Sequence, residues 1–184
     1  MSQVRILSGV PFLFMNLILI IVFICVLIFG LAAFTGAPYV PSHKKELQIA
    51  FKKLYRLSPQ DYIVDLGAGD GMVLKVASEF GAKGLGIEIN PLLVMIAKWR
   101  LRKDPNMEVK FGNLFATELP SETSLIYVFG ESRDITKMVD VALRHTRRYH
   151  KTVYLMSYGF TVPGLKVFKK NRALYLYQIK DESI

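Results

Sequence analysis

Residues 64–71 read Val-Asp-Leu-Gly-Ala-Gly-Asp-Gly, and residues 84–91 read Gly-Leu-Gly-Ile-Glu-Ile-Asn-Pro. Glycines at 67, 69 and 71 allow backbone torsions and a close approach to a ligand that a Cβ would forbid. Glu88 ends the second apolar run, and its two carboxylate oxygens suit the two hydroxyls of a ribose. Together these residues describe a nucleotide-type cofactor site. A dinucleotide site wants its third glycine at position 72, which here is Met72. Asp65 and Asp70 flank the turn, where they would repel a pyrophosphate but suit a cofactor carrying an amino group and a sulfonium. The spacing thus points to S-adenosylmethionine. Gly71 opens a helix whose N-terminal N–H groups would face the cofactor's carboxylate. Two competing readings are an ordinary strand-turn-helix in an unrelated α/β domain and a dinucleotide-binding dehydrogenase.

Such a turn works only if strands and helices hold it. Apolar runs predict strands near 62–66, 83–88, 107–112, 124–129 and 152–157, with a final pair near 165–169 and 173–179. Helical patterns fall near 71–80, 91–103 and 134–148. Strands separated by helices of this length imply βαβ units and a parallel sheet covered on both faces. The last two strands, with Asn171 near their turn, read as a hairpin. In open α/β sheets the ligand lies outside the carboxyl ends of the strands. The first strand end supplies Asp65, Gly67, Ala68, Gly69 and Gly71, and the second supplies Glu88 and Ile89. The third supplies Asn113 and Leu114, and the fourth supplies Phe129, Gly130 and Glu131. Asn113 could bond an adenine edge, and Leu114 or Ile89 could sandwich the ring. Methyl transfer from a sulfonium needs alignment, desolvation and a free lone pair on the acceptor rather than a metal. An amine acceptor also needs its proton removed or held. Glu131, Ser132, Tyr158 and Tyr39 are the polar groups placed for this, with Glu131, Tyr39 and Tyr158 as the catalytic candidates.

The N-terminal part has a different character. No Lys, Arg, Asp or Glu lies between Arg5 and Lys44, and residues 12–34 are apolar apart from Asn16 and Gly30. About 20 such residues suffice to cross a bilayer as a helix. A cleaved secretory signal competes, but its apolar core is typically about 7–15 residues. Residues 1–35 therefore read as a transmembrane anchor, residues 36–58 as a connector and pre-domain helix, and residues 59–184 as the catalytic domain. Pro38 and Pro41 stiffen the connector around Tyr39 and Val40, and Ser42 could cap a helix over 43–57. Arg5 precedes the span, whereas Lys44, Lys45, Lys52, Lys53 and Arg56 follow it. The positive-inside rule then places the domain on the cytoplasmic side, or the matrix side of a mitochondrial membrane, and the N-terminus outside. The single cysteine, Cys25, excludes an intrachain disulfide and thiolate metal chemistry. The net charge of +9 fits anionic lipid, nucleic acid or an acidic protein surface. His43, His145 and His150 are isolated and read as surface residues, with no metal spacing. Trp99 lies on a helix whose positions Leu93, Ile96 and Ala97 would face the sheet, and reads as packing.

The fourth strand also excludes chemistry. Enzymes that methylate exocyclic amines of bases commonly carry an Asn/Asp-Pro-Pro-aromatic tetrad there, and this chain has Phe129-Gly130-Glu131-Ser132. That argues against nucleic acid as the substrate despite the basic charge. The apolar span, the Pro-Tyr-Val-Pro connector, the glycine motif, Glu88-Ile89-Asn90-Pro91 and the Tyr-Val-Phe-Gly ending resemble a known family over residues 37–164. It is the membrane-anchored protein-lysine methyltransferases whose animal members modify the c-subunit of ATP synthase. The resemblance implies a Rossmann-like, seven-stranded, mostly parallel sheet, preceded by one transmembrane helix. It further implies that Asp65, Gly67, Gly69 and Glu88 bind the cofactor and that a lysine side chain is the acceptor. Asn113 stands where that family has an acid, and Glu131, Ser132 and Arg133 where it tends to apolar residues or proline. The expected activity is membrane-tethered methyl transfer from S-adenosylmethionine to lysines of a membrane-associated protein. Methylation of a lipid head group or small molecule at the membrane surface is the alternative, and a non-catalytic cofactor-binding scaffold is a third.

Overall fold

The computed structural model describes residues 10–35, 43–129 and 134–180, with side chains inside the first helix described at 14–26 and 30. The chain divides into two units, Met1–Pro38 and Tyr39–Ile184. The first unit holds α1, Val10–Thr35, a helix without a charged residue in its sequence. No helix among the described residues is long and apolar enough to cross a membrane. The transmembrane helix expected over residues 1–35 is thus not found among the described residues. Cys25 lies on it, exposed.

The second unit begins with α2, Lys44–Lys53, whose N-cap is His43 without a side-chain bond; Ser42, the expected cap, lies outside the described residues. Leu47, Ala50 and Phe51 recur at helical spacing, so one stripe of α2 is buried and joins the domain core. Then follow β1 (Tyr62–Leu66), α3 (Met72–Ser78), β2 (Lys83–Glu88), α4 (Pro91–Arg100) and β3 (Met107–Phe111). The remainder is β4 (Leu125–Phe129), α5 (Ile135–Tyr149), β5 (Val153–Tyr158), β6 (Lys169–Asn171) and β7 (Leu174–Ile179). The seven strands form one sheet in the order β3-β2-β1-β4-β5-β7-β6. The first five run parallel, and β7 lies antiparallel to both β5 and β6. This is the expected mostly parallel, Rossmann-like sheet with a terminal hairpin.

Two corrections concern that hairpin and the histidines. The strand expected over 165–169 is instead the three residues of β6, because the chain turns at Arg172, a non-glycine residue at φ 52°. Pairing of Asn171 with Leu174 leaves Arg172 and Ala173 as a two-residue turn, where positive φ matches the strand twist. His145 is buried, not on the surface (4 % exposed), whereas His43 and His150 are exposed.

The core has two layers. Leu47, Phe51, Leu74, Ala97 and Val109 pack where α2, α3 and α4 cover one face of the sheet. Val64, Ile126, Leu155, Val141 and Ala142 pack under α5 on the other. At the end of the sheet away from the strand carboxyl ends, Asp61 ties the elements together. Its carboxylate accepts from the Tyr55 hydroxyl (2.6 Å), the Ser58 hydroxyl (2.7 Å) and the Ser124 hydroxyl (2.8 Å). Burial opposes its ionisation, but these donors together hold the carboxyl below its usual range.

Candidate cofactor site

The glycine turn is built on the end of β2. Main-chain N–H groups of Gly67 and Ala68 donate to the Ile87 carbonyl at 2.9 and 3.1 Å. Gly67, Gly69 and Gly71 all lie at positive φ (88°, 53° and 78°), where a side chain would be strained. The fit beneath the turn is equally close. A Cβ on Gly86 would lie 2.6 Å from the Cβ of Ala68, so β2 must carry glycine for the turn to settle on it. Above Gly67 the nearest neighbour of such an atom is Leu114, at 3.9 Å. Leu114 therefore stands over the turn as an apolar neighbour.

Glu88 is 7 % exposed and braces both sides of the site. One carboxylate oxygen accepts from the Gly69 N–H and the other from the Asn90 N–H, both at 2.8 Å. Each oxygen keeps a second acceptor position, so the acid can hold the loop and still meet ribose hydroxyls. Asn90 in turn caps α4, its side-chain oxygen accepting from Leu92 N–H at 3.0 Å, with Pro91 at the first helical position.

The two aspartates at the turn, expected to act alike, differ. Asp70 forms an ion pair with Arg100 and accepts from the Met72 N–H at 3.2 Å. It occupies the start of α3, where the sequence places the cofactor's carboxylate. Asp65 is 2 % exposed, and one of its carboxylate oxygens has no partner. Burial raises its pKa well above the usual carboxylate range, and the neighbouring charges of Glu88 and Asp70 push it further up. A buried acid without a partner is costly. A cation placed beside it would relieve that cost, so the residues fit a ligand bearing an ammonium or a sulfonium. Arg100, which takes Asp70 out of that role, is not foreseeable from the sequence; its offset of 30 residues from Asp70 leaves no local signal.

Asn113 is exposed at the turn, and its side-chain oxygen accepts from Phe115 N–H at 2.9 Å. Its carbonyl accepts from Ala116 and Thr117 N–H, which makes it the start of a tight turn after β3. Any adenine contact would come from its amide –NH2. Ile89 is exposed at the same rim. Among the described residues, no group of three His, Cys, Asp or Glu could hold a metal ion.

The ends of β4 and β5, expected to face the acceptor, are assembled differently. Phe129 and Tyr158 are paired in register at the ends of β4 and β5, their rings 4.9 Å apart and perpendicular. The Tyr158 hydroxyl donates to Glu46 of α2 at 2.5 Å. That bond, followed by burial, raises the pKa of the phenol. Glu46 also meets Arg172 at 3.7 Å. Sequence reasoning misses it because its partner lies 112 residues away. Glu131 and Tyr39, the other two catalytic candidates, lie outside the described residues, as do Gly130 and Ser132.

No family model matches the chain. It is 31 % identical over 99 residues to a lysine N-methyltransferase of the ATP synthase c-subunit from Caenorhabditis elegans, covering 49 % of this chain and 52 % of that one. It is also 35 % identical over 65 residues to ribosomal RNA small subunit methyltransferase A of Thermotoga petrophila, covering 35 % of this chain and 25 % of that one. The chain thus spans about half, or less, of the curated relatives it matches. Among solved structures, an RNA methyltransferase of Salinibacter ruber in complex with S-adenosyl-L-homocysteine superposes with a TM-score of 0.68. The match has 23 % identity and covers 79 % of this chain and 96 % of that one. A putative methyltransferase of Escherichia coli gives 0.58 at 17 % identity, covering 80 % and 91 %. The strand order, the glycine turn on the end of β2 and these superpositions identify the fold as the Rossmann-like methyltransferase fold.

Proposed function

We propose that this chain is an S-adenosylmethionine-dependent methyltransferase, held at a membrane by its apolar N-terminal segment, that modifies lysine side chains of a membrane-associated protein. The observation that carries the cofactor assignment is Asp65, a buried carboxylate with an unpartnered oxygen beneath three left-handed glycines. When bound, the cofactor supplies an electrophilic methyl on a sulfonium. The chain's own residues then do the rest. Asp65 meets the cationic end, Glu88 holds Gly69 in place and offers its remaining acceptor positions to the ribose, and Leu114 shields the ring from water. Phe129 and Tyr158 wall the acceptor side, and Glu131 and Tyr39 are proposed to hold or remove the acceptor's proton. The curated relative from C. elegans supports lysine as the acceptor, and the charge-free apolar run of residues 12–34 in the sequence supports the tether. The basic residues after that helix support a domain on the cytoplasmic or matrix side.

RNA is the second reading, favoured by the matched ribosomal RNA methyltransferase and by the S. ruber fold. The lack of an Asn/Asp-Pro-Pro-aromatic tetrad after Val128 weighs against it. Transfer of labelled methyl to fractionated membranes separates the readings, with Asp65→Asn and Glu88→Gln as controls. Label in alkali-resistant, protease-sensitive material as methyl-lysine is expected. Label in RNA, or cofactor binding with no labelled acceptor, would sink the lysine assignment.

A further inference from the structure

Helix α4 is apolar on two opposite sides. Val94, Ala97 and Leu101 are buried against the sheet. Met95, Ile96 and Trp99 are exposed, Met95 and Trp99 each at 68 %. At 3.6 residues per turn these two sets point about 180° apart, so the second stripe faces straight into solvent. A helix on a sheet ordinarily turns its polar face outward. Trp99, expected to pack, instead stands free of the core. Phe111, on edge strand β3, is 64 % exposed and pairs in register with Glu88, at the head of the loop that enters α4. With Ile89, 42 % exposed in that loop, five of the eight exposed large apolar side chains among the described residues of the second unit lie at this edge.

The charges beside the stripe have one sign. Lys98, Arg102 and Lys103 are exposed, and residues 91–103 contain no acid. Asp104, which follows, is already occupied by Lys75 and the Ser78 hydroxyl at 2.7 and 2.8 Å. An apolar stripe with an aromatic ring, flanked only by cations, matches the interface of an anionic bilayer. It matches a stacked base less well, because the Arg102 guanidinium lies 4.3 Å from the centre of the Trp99 ring and covers one of its faces. We propose that the outward face of α4, with Phe111, is a docking surface for anionic lipid. The inference goes beyond the tether: it rests on the membrane reading for its setting but assigns a second, independent contact.

Trp99 is the single tryptophan, so its fluorescence reports this face alone. The full chain is mixed with phosphatidylcholine vesicles, with or without phosphatidylglycerol, containing brominated phosphatidylcholine as quencher. The expected result is a blue-shifted emission quenched by the brominated lipid once phosphatidylglycerol is present. Replacing Lys98, Arg102 and Lys103 by Gln should weaken the vesicle affinity read from that quenching about fivefold for each charge removed. Met95→Glu with Ile96→Glu should abolish it, and both variants leave the buried face of α4 intact. Protein that floats with vesicles while Trp99 stays water-exposed and quenched by iodide keeps the tether and overturns the docking face. Protein that floats only with anionic vesicles, with Trp99 quenched by lipid, keeps the docking face and overturns the tether. Stronger quenching by single-stranded RNA than by brominated lipid would overturn the lipid-docking face, in favour of nucleic acid.

Discussion

The half of the sheet that carries the glycine turn and the half from β4 onward, proposed to face the acceptor, are held by different forces. From β1 to α4 the site is fixed by backbone: three left-handed glycines, two amides on the Ile87 carbonyl and two on Glu88. From β4 to β7 it is fixed by side chains reaching across long sequence distances, Tyr158 to Glu46 and Tyr177 to the Val162 N–H at 2.9 Å. A site made of backbone tolerates few sequences, because each glycine answers a steric demand. A site made of side chains can be rebuilt by exchanging them.

The strongest test of the comparison is Asp65→Asn. If the donor half exists to place a cation against this buried acid, the amide should weaken S-adenosylmethionine binding by roughly 100-fold, the scale of losing one partner of a buried charge pair. Titration calorimetry measures it. The same variant should stabilise the unliganded protein. Asp65 has a raised pKa when folded, so its contribution is fully present below the unfolded value of about 3.9 and is lost as pH rises toward the folded value. Above that window the wild type should unfold at lower denaturant than Asp65→Asn, and near pH 4 the two should coincide. Equal affinity in both proteins would remove Asp65 from the site.

Gly86→Ala probes the backbone fit without touching a polar group. The added methyl meets Ala68 and, at 2.9 Å, a methyl of Leu74. Overpacking of this kind costs about 1–3 kcal/mol. Because Ala68 belongs to the turn, the loss should appear in cofactor affinity as well as in the urea midpoint. A change confined to the midpoint would mean the turn moves freely on β2.

Tyr158→Phe is the matching experiment on the acceptor side. It removes one hydrogen bond to a partly exposed carboxylate, worth about 1 kcal/mol. Cofactor affinity should stay unchanged while methyl transfer falls, since the bond holds α2 to the end of β5. A loss of cofactor affinity would erase the proposed division of labour.

Much of the donor half is readable in the sequence. β1 and β2 fall on the expected residues because glycine and proline punctuate short apolar runs there. The choice of S-adenosylmethionine rests on one position, 72, and the fold around it agrees. What cannot be read is partnership. Asp65 and Asp70 look equivalent until Arg100, on a different helix, claims one of them. Tyr158 looks like a base until its hydroxyl is seen donating to Glu46. Trp99 looks like packing because a helix on a sheet is expected to bury its aromatic residue. His145 is different: Met138, Val141, Ala142 and His145 share helical spacing, so the signal is present and the residue type hides it.

That histidine gives the smallest effect and the last contrast between the halves. His145 sits on α5, over the acceptor half, with its ring 4.9 Å from Tyr149. Burial holds its imidazole below the ordinary value, and the nearby Lys151 charge acts in the same direction. A group with a depressed folded pKa contributes stability above its unfolded value, about 6.5, and loses it as pH falls through the folded one. Acid should therefore loosen the acceptor half as His145 gains a proton, whereas Asp65 draws stability from the donor half as pH rises. Native-state hydrogen exchange distinguishes these directions. Between pH 7 and 5.5, amides of α5 and β5 should lose more protection than those of β1 and β2, after correction for intrinsic rates. His145→Phe should remove that difference, because a ring of similar shape takes no proton. If protection falls equally in both halves, or if His145→Phe leaves it unchanged, the buried imidazole does not govern the acid response.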